Sequence, residues 1–134
     1  MDCIFCKIAN KEIPAEIVYE DDDVTAFLDI NPTAKGHTLV IPKQHSKDLP
    51  ETGDRTLGLI LPAVKKIAAA VMKATGAAGF NLGCNTGEAA GQVVFHLHLH
   101  IIPRYRDDGL VPWGHHAMEK KTREEIAAEI KKYL

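Results

Sequence analysis

The sequence predicts an α+β domain: an antiparallel β-sheet of about five strands packed by a long helix and a C-terminal helix. Two observations predict it. Short apolar runs, bounded by proline, glycine or acidic turns, flank one long segment whose apolar residues step by three and four. The resulting order is strands, helix, strands, helix, which places an antiparallel sheet under helices rather than building alternating βα units.

Residues 16–20 and 23–29 read as two short strands joined by an acidic turn at Asp21 to Asp23. Asn31-Pro32 ends the second, because a residue before proline avoids helical geometry and proline cannot donate to a ladder. Residues 36–42 form a third strand, again closed by proline. From Asp54 to Thr75 the apolar positions Leu57, Ile60, Leu61, Val64, Ile67, Ala68 and Val71 define a helix with one buried face. Pro62 should kink that helix or mark its first turn, and Gly76 suits its C-cap. Residues 79–85 and 93–102 are the fourth and fifth strands. The tail carries a capping box, Thr122 with Glu125, and an apolar stripe of Ile126, Ile130, Tyr133 and Leu134. Between Arg106 and Lys121 lies an irregular arm containing Trp113, His115 and His116.

A chain of 134 residues, 46% hydrophobic and 25% charged, is expected to fold as one domain with a sizeable core. Its formal charge of -2 gives no general grip on DNA, RNA polymers or anionic membranes. No segment approaches the ~20 apolar residues that span a bilayer, and residues 1–16 lack a secretory pattern. Three cysteines suggest reduced thiols or a metal site, so the expected location is the cytoplasm.

The most informative stretch is "VVFHLHLHIIPR", Val93 to Arg104, with His96, His98 and His100 at alternate positions. On a strand, Phe95, Leu97, Leu99 and Ile101 would face the core and the three imidazoles the other side, about 7 Å apart along the strand. The row can serve as a three-histidine metal cage. Alternatively it forms a metal-free phosphate site in which one imidazole attacks phosphorus while its neighbours donate to phosphate oxygens. The loop just upstream, "NTGEAAGQVV", favours phosphate: Gly87 and Gly91 let backbone amides approach an anion, and Gln92 can add a side-chain donor.

"HLHLHII", together with "CIFCKIANKEIPAEIVYEDDDVTAFLDINPTAKGHTLVIPKQH" and "NTGEAAGQVVFHLHLHIIPR", resembles the histidine triad (HIT) superfamily of nucleotide hydrolases and transferases, in its Hint-like bacterial form. The resemblance covers roughly residues 1–106. It implies a HIT domain over 1–110, followed by an arm and helix over 111–134. It also implies a homodimer in which the long helix and the strand at 79–85 meet their symmetry mates and the Trp113 arm approaches the partner's active site.

The resemblance further implies that His98 attacks the α-phosphorus of a purine nucleotide to give a nucleotidyl-imidazole that water hydrolyses, with no catalytic metal, while its other ring nitrogen donates to a backbone carbonyl of the same strand and fixes the tautomer. His100 and His37 match positions that contact the phosphate or assist the leaving group. Asn85, Gly91, Gln92 and the Val93 amide match the phosphate-side loop. Asp29 matches the carboxylate that accepts the ribose hydroxyls, although its position before Asn31-Pro32 equally suits a turn. Phe5, Ile8, Leu28 and Ile30 would line the base slot. Val93 stands where some relatives carry a serine near the leaving group. Implied substrates are nucleoside phosphoramidates of the adenylyl-lysine type. Alternatives are a dinucleoside polyphosphate hydrolase, or a nucleotide-binding regulatory or scaffold protein with little turnover.

Cys3 and Cys6 form C-x-x-C, which fits a redox pair, half a zinc site or two buried small residues. His45 supplies a third nitrogen or sulfur ligand for structural zinc. Resemblance to bacterial relatives implies the fourth, His96. A zinc-bound His96 is not free for phosphate, so on a regular strand beside His98 the two duties conflict. They fit together if the strand bends at its start, or if zinc lies beside the active site and rigidifies it.

Overall fold

The computed structural model describes residues 2–134. It contains β1 (Ile17–Glu20), β2 (Val24–Leu28), β3 (Thr38–Pro42), β4 (Gly79–Gly83) and β5 (Leu99–Arg104), with helices α1 (Ile4–Ala9), α2 (Asp54–Thr75) and α3 (Lys120–Lys131). The strands form one antiparallel sheet in the order β1-β2-β3-β5-β4. Asp21 closes the first hairpin as expected, its Oδ1 accepting from the amides of Asp23 and Val24 at 2.8 Å.

Strand alternation divides the core in two. Val24, Ala26, Val40 and Ile101 pack with Leu97 against Ile60, Ala63, Val64, Ile67 and Ala68 of α2. The opposite face carries Phe27, Leu39 and Ile41, sealed by Phe5, Ile8 and Ala9 of α1. Expectation put helix on one side only; the N-terminal residues supply a short cover for the other. Cys3 is the N-cap of α1, its Sγ accepting from the Cys6 amide at 3.5 Å.

The long helix spans the expected residues and ends on Gly76 in the left-handed conformation. It runs continuously through Pro62, which therefore does not mark a first turn. Pro62 lies on the exposed side, where the carbonyl it leaves unpaired reaches water. The capping box is not formed: α3 starts at Lys120 after Glu119, which makes no side-chain cap bond. None of the α3 residues is buried, so its apolar stripe adds nothing to the core and the sheet is covered by α2 and α1 instead.

The largest departure concerns the histidines. The fifth strand begins at Leu99, not Val93, so His96 and His98 precede the ladder. That segment is held by the Leu97 amide, which donates to the Ser46 carbonyl at 2.8 Å. Leu97 and Ile101 reach the α2 core as expected, whereas Phe95 stays 37% exposed.

Candidate active site and metal cluster

Between α1, the end of β2, the 85–94 loop and the histidine segment lies a cleft of about 630 Å³, within the usual range for small-molecule sites. Phe5, Ile8, Leu28 and Ile30 form its apolar wall, and Asp29, Asn85, Gly91, Val93, His98 and His100 line the remainder. A short 3-10 turn, Glu88–Ala90, leads into Gly91, whose φ of 92° favours glycine. Contrary to expectation, the amides of Gly87 and Gly91 are spent inside the loop, on Gln92 Oε1 at 2.8 Å and on the Glu88 carbonyl at 2.9 Å.

Gln92 departs from expectation. Its side chain is buried and braces the loop: Oε1 accepts from the Gly87 amide at 2.8 Å, and Nε2 donates to the carbonyls of Lys47 and Val94. Both donors are committed inside the protein, so it offers none to the cleft.

Backbone groups settle the ring states of the histidines. His98 Nδ1–H donates to the His96 carbonyl at 2.7 Å, because a carbonyl can only accept. In the neutral ring Nε2 of His98 is therefore the nitrogen with the free lone pair. His37 has the reverse arrangement: the Thr33 amide donates to its Nδ1 at 3.0 Å, so Nε2 carries the proton. That Nε2–H donates to His100 Nδ1 at 2.9 Å. His100 then bears its proton on Nε2, which is buried without a protein partner in a residue that lines the cleft. Burial pushes the pKa of His100 down to about 4, with His98 and His37 adding to the effect, and burial likewise lowers that of His37. Both rings are neutral at pH 7.

Asp29 closes the expected turn and also lines the cleft. Oδ1 accepts from the Asn31 amide at 2.8 Å, closing the turn, while Oδ2 lies 3.7 Å from His37 Nε2 at the cleft wall. Asp29, His37 and His100 are also near enough together to hold a cation. The Thr33 amide argues for a hydrogen-bonded pair there, since it leaves His37 Nε2 a donor rather than a ligand.

Cys3, Cys6, His45 and His96 converge behind the cleft. His96 is fully buried and donates from Nε2 to the Pro42 carbonyl at 2.8 Å, which turns an unprotonated Nδ1 inward. That Nδ1 lies 3.4 Å from Cys3 Sγ, 3.5 Å from Cys6 Sγ and 3.1 Å from His45 Nδ1, with Cys6 Sγ 3.5 Å from His45 Nδ1. A zinc tetrahedron with ordinary Zn–S and Zn–N lengths has S···N edges of about 3.5 Å and an N···N edge of about 3.3 Å. The four residues therefore fit zinc, including a carbonyl partner for the far nitrogen of a ligand histidine. Burial, followed by the Cys3 neighbour, pushes the Cys6 thiol up, an effect that a bound cation reverses. Cys84 stands apart, partly buried beside the α2 core.

The conflict foreseen for His96 disappears because His96 and His98 lie outside the strand. The His96 ring turns behind the cleft to the sulfurs, and the His98 ring turns into it. Beyond His100 and Asn85 a second cavity of about 660 Å³ opens, lined also by His37, Arg104 and Trp113. The arm thus lies beside its own chain's histidines, with Trp113, His115 and His116 exposed. The amide of Thr33 and the carbonyl of Pro42 are groups that sequence reading missed, whereas the carbonyl of His96 is the backbone acceptor that the resemblance implied for His98. Every residue supplies such groups, so no residue type announces them.

A HIT domain model matches residues 10–107, and the chain belongs to the HIT domain family. Among its relatives, a HIT-like protein of Methanocaldococcus jannaschii is 50% identical over 96% of this chain and 98% of its own length. An adenylylsulfatase of Arabidopsis thaliana is 45% identical over 90% of this chain and 60% of its own. The adenosine 5'-monophosphoramidase hnt1 of Schizosaccharomyces pombe is 43% identical over 98% of this chain and 100% of its own. The crystal structure of a HIT family member from Bacillus subtilis superposes with a TM-score of 0.92 at 46% identity, covering 100% of this chain and 98% of that one. A zinc-bound histidine triad protein of Mycobacterium smegmatis has a TM-score of 0.79 at 37% identity, covering 100% and 99%.

Proposed function

We propose that the protein is a nucleotide hydrolase that cleaves purine nucleoside phosphoramidates of the adenylyl-lysine type at the α-phosphate, through a nucleotidyl-histidine intermediate. The observation that carries this reading is the ring state of His98: its Nδ1–H is bound to the His96 carbonyl at 2.7 Å, leaving a basic Nε2 in the cleft. The names of the fission-yeast phosphoramidase and the plant adenylylsulfatase support nucleotide chemistry at such a site.

In the first step His98 Nε2 forms a bond to the α-phosphorus while the bond from phosphorus to the leaving nitrogen breaks, and the amine departs with a proton drawn from solvent. In the second, water adds to phosphorus and returns a proton to solvent while the P–N bond to His98 breaks, releasing the nucleoside monophosphate. His100 Nε2–H donates to a phosphate oxygen and is held in that state by His37. The Val93 amide and the Asn85 side chain take the remaining phosphate oxygens, and Gly91, whose amide is spent on the Glu88 carbonyl, shapes the loop beside them. Gln92 acts by bracing that loop. Asp29 Oδ2 accepts the ribose hydroxyls, and Phe5, Ile8, Leu28 and Ile30 receive the base. The chemistry is carried by these side chains and requires no catalytic metal.

Cys3, Cys6, His45 and His96 hold a structural zinc ion, supported by the edge lengths of the cluster and by the zinc-bound relative. Residues 1–110 form the HIT domain and 111–134 an accessory arm and helix. The chain pairs with a second copy along β4 and α2. Supporting this, β4 is a sheet edge with Phe80 and Leu82 exposed, and Leu61 of α2 is exposed as well. With a formal charge of -2 it engages small nucleotides rather than DNA or RNA polymers. No helix among the described residues is long and apolar enough to cross a membrane. A cluster that needs reduced thiols fits the cytoplasm.

The test is incubation with adenosine phosphoramidates, diadenosine polyphosphates and adenylyl sulfate, followed by mass detection of acid-quenched protein. Fast release of AMP from phosphoramidates with a nucleotidyl group on His98 is the expected result. Turnover that survives His98→Ala overturns the mechanism. Preference for the polyphosphates overturns the substrate assignment alone.

A further inference from the structure

We propose that the Cys3–Cys6–His45–His96 cluster is the fastener of the nucleotide cleft, fixing the ring of His98 through His96 and the base-binding wall through α1. The inference rests on the metal assignment above and deepens it: the metal positions the reacting groups as well as stabilising the fold.

The first branch runs through His96. This residue is fully buried and lies outside the β5 ladder, so sheet hydrogen bonds do not hold its peptide. Its carbonyl shares a peptide with the Leu97 amide, which binds the Ser46 carbonyl, and its side chain adds the second tie, to Pro42 through Nε2 and toward both sulfurs and His45 through Nδ1. The carbonyl of that same residue accepts the His98 Nδ1–H. Releasing the His96 ring leaves the acceptor that orients the His98 ring held by the Leu97–Ser46 bond alone. The loop after β3 ties both ends of this segment, since His45 reaches the cluster and the Ser46 carbonyl binds the Leu97 amide.

The second branch runs through α1. A helix of six residues is too short to persist alone, and both of its cysteines sit in the cluster. Between them stands Phe5, edge-on to the His98 ring at a centroid distance of 5.1 Å and to Phe27 at 5.4 Å. Phe5 and Ile8 are also the cleft wall. Loss of the metal is therefore expected to loosen the nucleophile and the base wall together. A purely structural zinc would lower stability and leave both unchanged.

The experiment uses full-length protein labelled with ¹⁵N-histidine, in three forms: zinc-loaded, chelated, and His45→Ala, which removes a ligand that does not line the cleft. Metal content, the His98 tautomer from long-range ¹H–¹⁵N spectra, AMP affinity by calorimetry and single-turnover nucleotidylation are measured on each. Loaded protein should show His98 as one Nδ1–H tautomer. Chelated and His45→Ala protein should show mixed tautomers, with AMP affinity and the single-turnover rate each down about 10–100-fold. Zinc should restore the chelated wild type only. Folded, metal-free protein that keeps the single tautomer and full AMP affinity overturns the inference and leaves the metal assignment standing. Protein that takes up no zinc overturns both. If chelation unfolds the chain, cadmium is exchanged for zinc in folded protein. Its longer bonds should shift the His98 Nδ1–H resonance, and an unmoved resonance overturns the inference.

Discussion

At His96 and His98 a backbone carbonyl accepts from one ring nitrogen, Pro42 from the former and His96 from the latter, and the other nitrogen becomes a base. At His37 a backbone amide, that of Thr33, donates to the ring, and the other nitrogen becomes a donor. All three are buried imidazoles within one small region. The difference in partner alone separates a ligand and a nucleophile from a hydrogen-bond donor chain ending at His100 Nε2. Residue type decides that an imidazole is present, and the backbone group behind it decides which chemistry it performs.

The sharpest way to break this contrast is His98→Ala. Without the base nitrogen, nucleotidyl transfer should fall by at least about a thousandfold in single-turnover assays while AMP still binds. A smaller loss would mean that another group attacks.

His37→Ala tests the donor side. With no Nε2–H to hold its Nδ1, His100 no longer keeps its proton on Nε2, and the single-turnover rate should fall about 10–100-fold. Calorimetry should find AMP affinity nearly unchanged, because His37 does not line the nucleotide cleft. Loss of affinity matching the loss of rate would assign His37 to ground-state binding instead.

Acid probes the same pair through stability. His100 has a folded pKa of about 4, below its ordinary value of 6.5, so the unfolded chain binds more protons between those limits. Stability should therefore fall as pH drops from 6.5 toward 4. Denaturant titrations of His100→Gln should show a shallower fall than wild type across that window. Equal slopes would show that His100 is not the group responsible.

Gln92→Leu should have the smallest effect. It leaves the Gly87 amide and two carbonyls without their partner, costing about 1–3 kcal/mol of stability. AMP affinity should fall only through loosening of the loop. An unaltered unfolding midpoint would contradict the bracing role.

Much of this was legible in the sequence. The α2 boundaries, the Asp21 turn and the order of strands and helices follow from local rules: apolar periodicity, proline and acidic turn chemistry, and the Gly76 cap. The resemblance carried by the histidine segment and its flanking blocks placed Asp29, Asn85, Gly91, His98 and His100 in advance, and all of these line one cleft. Local rules failed where a long-range partner overrode them. Residues 93–98 have a strand's alternation, but the Ser46 carbonyl and the pull of His96 toward Cys3 and Cys6 bend them out of the ladder. Gln92 looked like a surface donor because the carbonyls that consume its amide lie in part on a distant loop, at Lys47. The short α1 went unread because six residues carry too little periodicity.

By itself, then, the sequence determined which chemical groups the protein owns and which faces of its elements are apolar, because residue identity and periodicity are local properties. Only the tertiary structure decided which nitrogen of His37, His96 and His100 carries the proton, and that His96 faces sulfur while His98 faces the cleft. Those outcomes depend on carbonyls and amides brought together across the fold, and backbone groups are the same in every residue type until folding chooses their partners.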